Sequence, residues 1–464
     1  MLRRVLNSLI ILGLVVLSTE TSPAADKESD EFVQMIVKLI GDGDREFRAA
    51  GLEQVRTAAR GAAPTKLFAS QLTKLGPEGQ VALLDALADR GDAAARPAVL
   101  ELYASTNDEK VRAAAIGALG SLGGRDDLPV LINALSATAA AERAAARKSL
   151  VQLRGETISK SLATETKTVP AAVKAAILEV LATRRASGEM PAFLAATVDD
   201  SPQVRSSAMA ALGQIGRPAQ IAAMLPGVLK AQKGGERDAA ERNLAMICAR
   251  IENEDARGTA LIEALETVDV AQRDQLLSLV GRVGGKKLIN FVADIATGDD
   301  ISRRQIGIDA LSKWPDASVA DKLFEIVSKA TDPAERNQAF QGYVKISATR
   351  DGRSDRQRLD RMKQAMTAAK TPEEQALVIN RCRTAYDVET LRFVLPYVAQ
   401  PDFAQLACET VVELAHHREI RDPNKAEFDK ALDKVIEISS DDVVVDRANR
   451  YKRGETWERP KAAK

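Results

Sequence analysis

The chain has 464 residues, with 65 Lys+Arg against 65 Asp+Glu, two His and three Cys; 45% of residues are apolar and 4% aromatic. Zero net charge weakens the case for sequence-independent nucleic-acid binding, which requires a basic surface, and two His with three scattered Cys exclude zinc-finger, haem-attachment and disulfide-scaffold patterns. Length alone suggests about three domains, but an alanine-rich, aromatic-poor chain suits many short helices with small side chains.

The first element, Met1 to about Ala25, reads as a secretory signal peptide. Arg3 and Arg4 form its charged start, Leu9 to Leu17 its apolar stretch, and Ser22, Ala24 and Ala25 offer small residues for cleavage. Nine apolar residues fall short of the roughly 20 that a membrane-spanning helix needs. Cleavage after Ala25 takes away Arg3, Arg4 and Glu20 and leaves a charge of −1. The expectation is an exported chain, periplasmic or secreted, with no membrane span after cleavage.

From there an internal repeat dominates. Asp108-Glu109-Lys110-Val111-Arg112 runs through Ala118-Leu119-Gly120-Ser121-Leu122-Gly123-Gly124, and Ser201-Pro202-Gln203-Val204-Arg205 through Leu212 to Gly216 echoes it. With Leu119 as marker, equivalents fall at Val55, Leu87, Leu150, Leu181, Leu212, Leu244, Val280, Leu311, Tyr343, Cys382 and Val411, with steps of 29 to 39 residues and most at 31 or 32. Each step holds two helices. Val111, Ala115, Ala118, Leu119 and Leu122 keep the spacing of one buried helical face, and Gly123-Gly124 is expected to stop that helix in a left-handed cap. Asp332-Pro333-Ala334-Glu335 and Thr371-Pro372-Glu373-Glu374 are helix starts, with a capping side chain, proline at the first turn and Glu three residues after the cap. One such pair cannot bury its own apolar faces, so neighbours must stack.

A second register runs through the array. Seven residues before the markers stand Arg48, Arg112, Arg143, Lys174, Arg205, Arg237, Arg273, Arg304 and Arg336, broken only by Gln80, Gln375 and Ala404. Four residues earlier, Asp44, Asp108, Asp269, Asp300 and Asp332 recur. A basic stripe for an anionic ligand is one reading. The other is a structural ladder, in which each Arg bridges carboxylates or carbonyls of adjacent repeats and each Asp caps its helix. The acid that accompanies the base favours the ladder.

The Asp108-to-Gly123 pattern, D-x-x-V-R-x-x-A-x-x-A-L-G-x-L-G, resembles HEAT repeats, above all the short variety of the phycobilisome-lyase HEAT-like group. The resemblance covers about Ser29 to Leu414. It implies an all-α fold, a right-handed α–α superhelix of about twelve helix pairs whose second helices line a concave surface. From Asn337 onward, Gly342-Tyr343-Val344-Lys345 and Asp446-Arg447-Ala448-Asn449-Arg450 resemble the C-terminal part of HEAT-repeat proteins exported by planctomycete-type bacteria.

Two steps are long, and they hold Ile251 to Gly258 and Ser347 to Arg353. These are expected to be surface loops, the second followed by a helix with Leu359, Met362 and Met366 on one face. Twelve of the 17 aromatics lie from Phe291 onward; Trp314, Tyr343 and Phe403 read as core fillers. Residues 26–416 thus form the repeat array. Pro423 to Ile438 and Asp442 to Arg450 read as capping helices and Tyr451 to Lys464 as a loose charged tail, within a terminal segment 417–464.

No nucleotide-loop, serine-hydrolase or zinc-protease motif occurs. His416 and His417 are adjacent and point to different sides of a helix, and Cys248, Cys382 and Cys408 read as buried small residues. The expected function is therefore a noncatalytic, monomeric scaffold that binds a protein or peptide, with no cofactor and no nucleic acid. A ligand-handling enzyme of the bilin-lyase type is the alternative. The partner surface is placed on the second helices of repeats eight to ten. There Ser278, Asp309 and Gln341 stand two residues before the marker, Arg282, Lys313 and Lys345 two after it, and Asp274, Gln305 and Asn337 six before it. The last column is Ala49, Val81, Ala113, Ala144 and Ala175 in the early repeats.

Overall fold

The computed structural model describes residues 23–457. The expected signal segment up to residue 22, and the tail beyond residue 457, lie outside the described residues; residues 23–25 open the helix Pro23–Ile40. Among the described residues the elements are α-helices and short 3-10 turns, with no strand. The chain divides into two compact units, the first ending at Gly216 and the second running from Arg217. Each holds six of the twelve markers, and the terminal capping helices belong to the second unit.

In the first unit the markers sit on Arg45–Thr57, Pro77–Arg90, Glu109–Leu122, Ala140–Gln152, Ala171–Thr183 and Pro202–Ile215, and each of these marker helices packs on the next. A companion helix precedes each, from Pro23–Ile40 and Ala62–Ala69 through Arg96–Ser105, Leu128–Ala134 and Ile158–Glu165 to Met190–Ala196. The sequence logic is local. Proline sits in the first turn of the companions at Pro97, Pro129 and Pro191, where its missing N–H costs no hydrogen bond. Asp108 accepts from the N–H of Lys110 and Val111 and so starts its helix.

The second unit repeats the plan. Its marker helices are Gly235–Cys248, the pair Val270–Gln275 and Leu277–Val283, then Ile301–Leu311, Pro333–Ser347, Pro372–Cys382 and Ala404–His416. Its companions are Ile221–Lys230, Glu254–Glu266, Lys286–Ala296, Ala320–Lys329, Asp355–Ala368 and Val388–Val394. Lys425–Ile438 and Asp442–Lys452 cover the last marker helix.

All twelve markers are fully buried, at 0% exposure, so the register that defines the repeat is the core itself. Trp314, Tyr343 and Phe403 are buried among them. Three expectations need correction. Gly123 and Gly124 are extended, with φ of −88° and −146°, so neither forms a left-handed cap. Gly123 is required for space: a Cβ there would stand 2.5 Å from the Leu119 carbonyl oxygen and 2.7 Å from Asp127 Oδ2. The long steps are not loop insertions alone, because they lengthen the companions Glu254–Glu266 and Asp355–Ala368 to 13 and 14 residues, against 10 in Ala320–Lys329. In the second, Leu359 and Met362 are buried while Met366 is half-buried. Tyr451 is no part of a loose tail. It is buried, hydrogen-bonds His416 Nδ1 at 3.0 Å and lies under Arg421 and Arg447, and Arg447 also lies over Trp457 at 4.8 Å.

Candidate partner-binding face

The arginine column comes first, because its geometry decides which cations remain for a ligand. The last carbonyls of any helix lack intrahelical partners. Column members fold back over the connection just before their own helix and donate to its carbonyls, most of them just past the end of the preceding helix. Arg48 donates to Asp42 and Gly43, Arg143 to Ala137 and Thr138, Arg205 to Asp199 and Asp200, and Arg237 to Leu229 and Ala231. Arg273 donates to Val268 and Arg304 to Gly298 and Asp299. Gln80, a break in the charge column, keeps the role by donating to Leu72.

Four members reach forward: Lys174 meets Asp199 at 2.6 Å, and three arginines meet glutamates of the next repeat. Arg112 grips Glu142 of the next repeat with Nη2–Oε1 2.9 Å and Nε–Oε2 3.1 Å, and its guanidinium lies over the Tyr103 ring at 4.2 Å. Arg304 meets Glu335 at 3.0 Å and Arg336 meets Glu374 at 2.5 Å. All three glutamates are buried. Burial alone raises the Glu142 carboxyl, but the hydrogen bonds from Arg112 and Tyr103 override it and hold its pKa below the ordinary value. Burial and the same carboxylate push Tyr103 up to about 12. The capping aspartates act locally, with Asp300 accepting from Arg303 N and Asp332 from Ala334 N.

Sequence reasoning missed these glutamates and a second set of arginines. The glutamates carry a signal, since each stands one residue before a column position: Arg143, Arg336 and the break Gln375. Arg90 and Arg184 each stand three residues after a marker and run back to the preceding marker helix. Arg90 donates to the carbonyls of Val55 and Ala58, and Arg184 to those of Leu150, Val151 and Leu153.

The nine proposed face residues lie on three consecutive marker helices of the second unit, but they are not equally free. Arg282 is bound to the preceding repeat, at 2.8 Å from Glu241 Oε2 and 2.5 Å from Asp238 Oδ1. Ser278 donates to the same Glu241 oxygen at 2.7 Å, and Glu241 is only 2% exposed. Arg282 therefore neutralises a buried carboxylate that Ser278 also hydrogen-bonds. Lys313 lies 2.9 Å from Asp309, 2.5 Å from Ser278 Oγ and 4.0 Å from Asp238.

Asp274 turns to Arg303 at 3.0 Å. Gln341 donates to Asn337 along its own helix at 3.4 Å, and the Gln305 carbonyl accepts from Gln338. Lys345 is exposed, and its ammonium has no ion pair or hydrogen bond among the described residues. Its burial-side environment and the charges of Arg282 and Lys313 lower its ammonium pKa, Asp309 opposing and Arg381 of the next marker helix adding to the fall. Arg381, which the sequence reading did not select, is exposed and carries no ion pair among the described residues either. Of the alanine-rich column in the first unit, Ala175 is buried and takes no part in a surface.

The remaining chemistry is quiet. Burial drives the thiols of Cys248 and Cys382 up to about 12 and that of Cys408 to about 11. The His417 ring stacks on Tyr386 at 3.6 Å while His416 bonds Tyr451, and no group of three or more metal-ligating side chains gathers among the described residues. The arrangement can hold charged groups against rigid helices.

Residues 65–151 match the family of HEAT repeats. No curated protein matches. Among solved structures, the chain is similar to Kap121p, with 12% identity, TM-score 0.47 and coverage of 92% of this chain and 56% of that one. It is similar to Kap121p bound to the extreme C-terminus of the protein phosphatase Cdc14p at 10% identity and TM-score 0.48, covering 88% and 54%. Human deoxyhypusine hydroxylase in complex with glycerol matches at 19% identity and TM-score 0.24, covering 49% of this chain and 99% of that one. This chain thus spans little more than half the length of the Kap121p chains. No helix of the described residues is long and apolar enough to cross a membrane.

Proposed function

We propose that this chain is an exported, noncatalytic HEAT-repeat scaffold that acts as a monomer and binds a protein or peptide partner along its marker helices. The observation that carries the reading is the polar face of the second unit, where Lys313, Gln341, Lys345 and Arg381 stand on consecutive packed helices. Charged side chains on rigid supports give specificity and steer encounter at little ordering cost. Export rests on the Arg3-Arg4 start, the Leu9–Leu17 stretch and the small residues at 22–25. The resemblance to exported planctomycete-type proteins agrees with this reading, and the resemblance to the phycobilisome-lyase group extends to the repeat pattern alone.

Site-specific photo-crosslinking tests the docking reading. A benzophenone side chain at Asn337 or Gln341 should capture a partner from the exported fraction, whereas one at Lys322, exposed on the companion helix Ala320–Lys329, should not. Capture only from Lys322 would sink the reading. N-terminal sequencing of the exported protein should begin at Asp26; a retained Met1 would refute export with cleavage.

A further inference from the structure

We infer that the cation row Lys313, Lys345 and Arg381 binds an extended acidic peptide segment whose carboxylates recur at every third residue. The inference rests on the docking reading above and narrows it to a partner chemistry and a spacing.

The row is peculiar to one stretch of the chain. Two residues after the marker, the first unit carries Thr57, Asp89, Ser121, Gln152, Thr183 and Gln214, with no cation among them. The second unit places Arg282, Lys313 and Lys345 there on successive helices; in the repeat after, Thr384 holds that position and Arg381, one residue before the marker, supplies the cation that faces Lys345. The ionic network then grades the row. Arg282 ends it, because its guanidinium is committed to the buried Glu241. Lys313, itself half-buried, holds Ser278 and Asp309, whose carboxylate is 46% exposed, so that carboxylate can turn to water and leave the ammonium to a ligand at modest cost. Lys345 and Arg381 carry uncompensated charge. The lowered Lys345 ammonium reports the same excess, since burial and neighbouring cations penalise its charged form. A ligand carboxylate would relieve that penalty.

Geometry sets the spacing. Packed helices lie about 8–10 Å apart, and an extended chain advances about 3.3 Å per residue. A segment crossing the helices therefore meets a new cation about every three residues. Asp309 and Asp238 lie within the row and disfavour a uniform polyanion such as nucleic acid, while the gaps between spaced peptide carboxylates accommodate them.

The test uses the full chain after signal removal and four labelled probes in low salt: the peptide (Glu-Ser-Gly)4, an isomer with its four Glu adjacent, the Lys-for-Glu peptide and a 12-nucleotide single strand of DNA. Fluorescence anisotropy should show the spaced peptide bound at least fivefold more tightly than the clustered isomer and the DNA, with no binding of the Lys peptide. The double variant Lys345→Glu/Arg381→Glu should lose at least tenfold in affinity. Both side chains are exposed and unpaired, so its thermal unfolding should match wild type. No saturable binding, equal affinity for the two isomers, tighter DNA binding, or an unaffected double variant in its folded form overturns the inference. Crosslinking from Gln341 separates the two levels: capture that persists while the spaced peptide fails removes the acidic spacing and leaves the docking face.

Discussion

At the scale of single residues, Arg112 and Glu142 show how a surface-looking charge becomes structural. Arg112 joins four acceptors on two repeats, and its loss leaves a buried carboxylate without its main donor. Arg112→Ala should lower stability by about 1–3 kcal/mol in urea unfolding. Arg143→Ala removes only bonds to its own preceding connection and should cost less. A melt of Arg112→Ala that matches wild type would assign the column to a ligand instead. The pair also sets a pH dependence. The folded Glu142 pKa is depressed, so its contribution is complete above the unfolded carboxyl pKa of about 4.3 and fades as pH falls through the lower folded value. Wild type should exceed Glu142→Gln in urea midpoint at pH 7, and the gap should shrink at about pH 3. An equal gap at both pH values would contradict the assignment.

At the scale of elements, the spacing between marker helices depends on missing side chains. A Cβ on Gly281 would stand 1.9 Å from the Ala310 carbonyl oxygen on the next marker helix, whereas one on Gly117 meets nothing within 4 Å. Gly281→Ala must push two helices apart and should destabilise by about 1–3 kcal/mol. Gly117→Ala, inside Glu109–Leu122, should stabilise by about 0.5–1 kcal/mol through the lower backbone entropy of the unfolded chain. Equal effects of the two substitutions in urea would rule out close packing as the reason for glycine at 281. The same scale separates the cations of the candidate face. Arg282→Glu sets a carboxylate against buried Glu241 and should lower the melting temperature, while Lys345→Glu should not. Circular dichroism melts of both decide it; a harmless Arg282→Glu would mean the Glu241 contact is not structural.

At the scale of the whole molecule, the repeat core takes the three thiols out of reach of solvent. Cys248, Cys382 and Cys408 all lie in the second unit and are fully buried. Thiols pushed up to about 11 or 12 are almost wholly protonated near neutrality. Labelling by an aromatic disulfide at pH 8 should be negligible in the native protein, rise to three thiols in denaturing urea, and follow the opening of the second unit. Rapid native labelling of any cysteine would mean that the core around it is open.

The sequence by itself determined what repeats locally: the twelve markers, the capping aspartates and proline starts, and the column of bases. A 3.6-residue period and a capping side chain act within one or two turns, so they can be read without knowing what lies opposite. The tertiary structure decided which of these residues meet. Glu241 stands 41 positions before Arg282 and nothing in its neighbourhood marks it as the partner; Arg184 finds its carbonyls on the previous marker helix. Gly123 reads as a conformational signal, yet the carbonyl of Leu119 and the carboxylate of Asp127 make it a spatial one. Lys313, Lys345 and Arg381 become one row only because stacking brings successive helices side by side, and only the pairing of Arg282 shows which charge is spent inside the fold. The physical division is one of range: hydrogen bonds and apolar periodicity along a helix are written in adjacent residues, whereas burial, close approach and ion pairing depend on the repeat that packs against it.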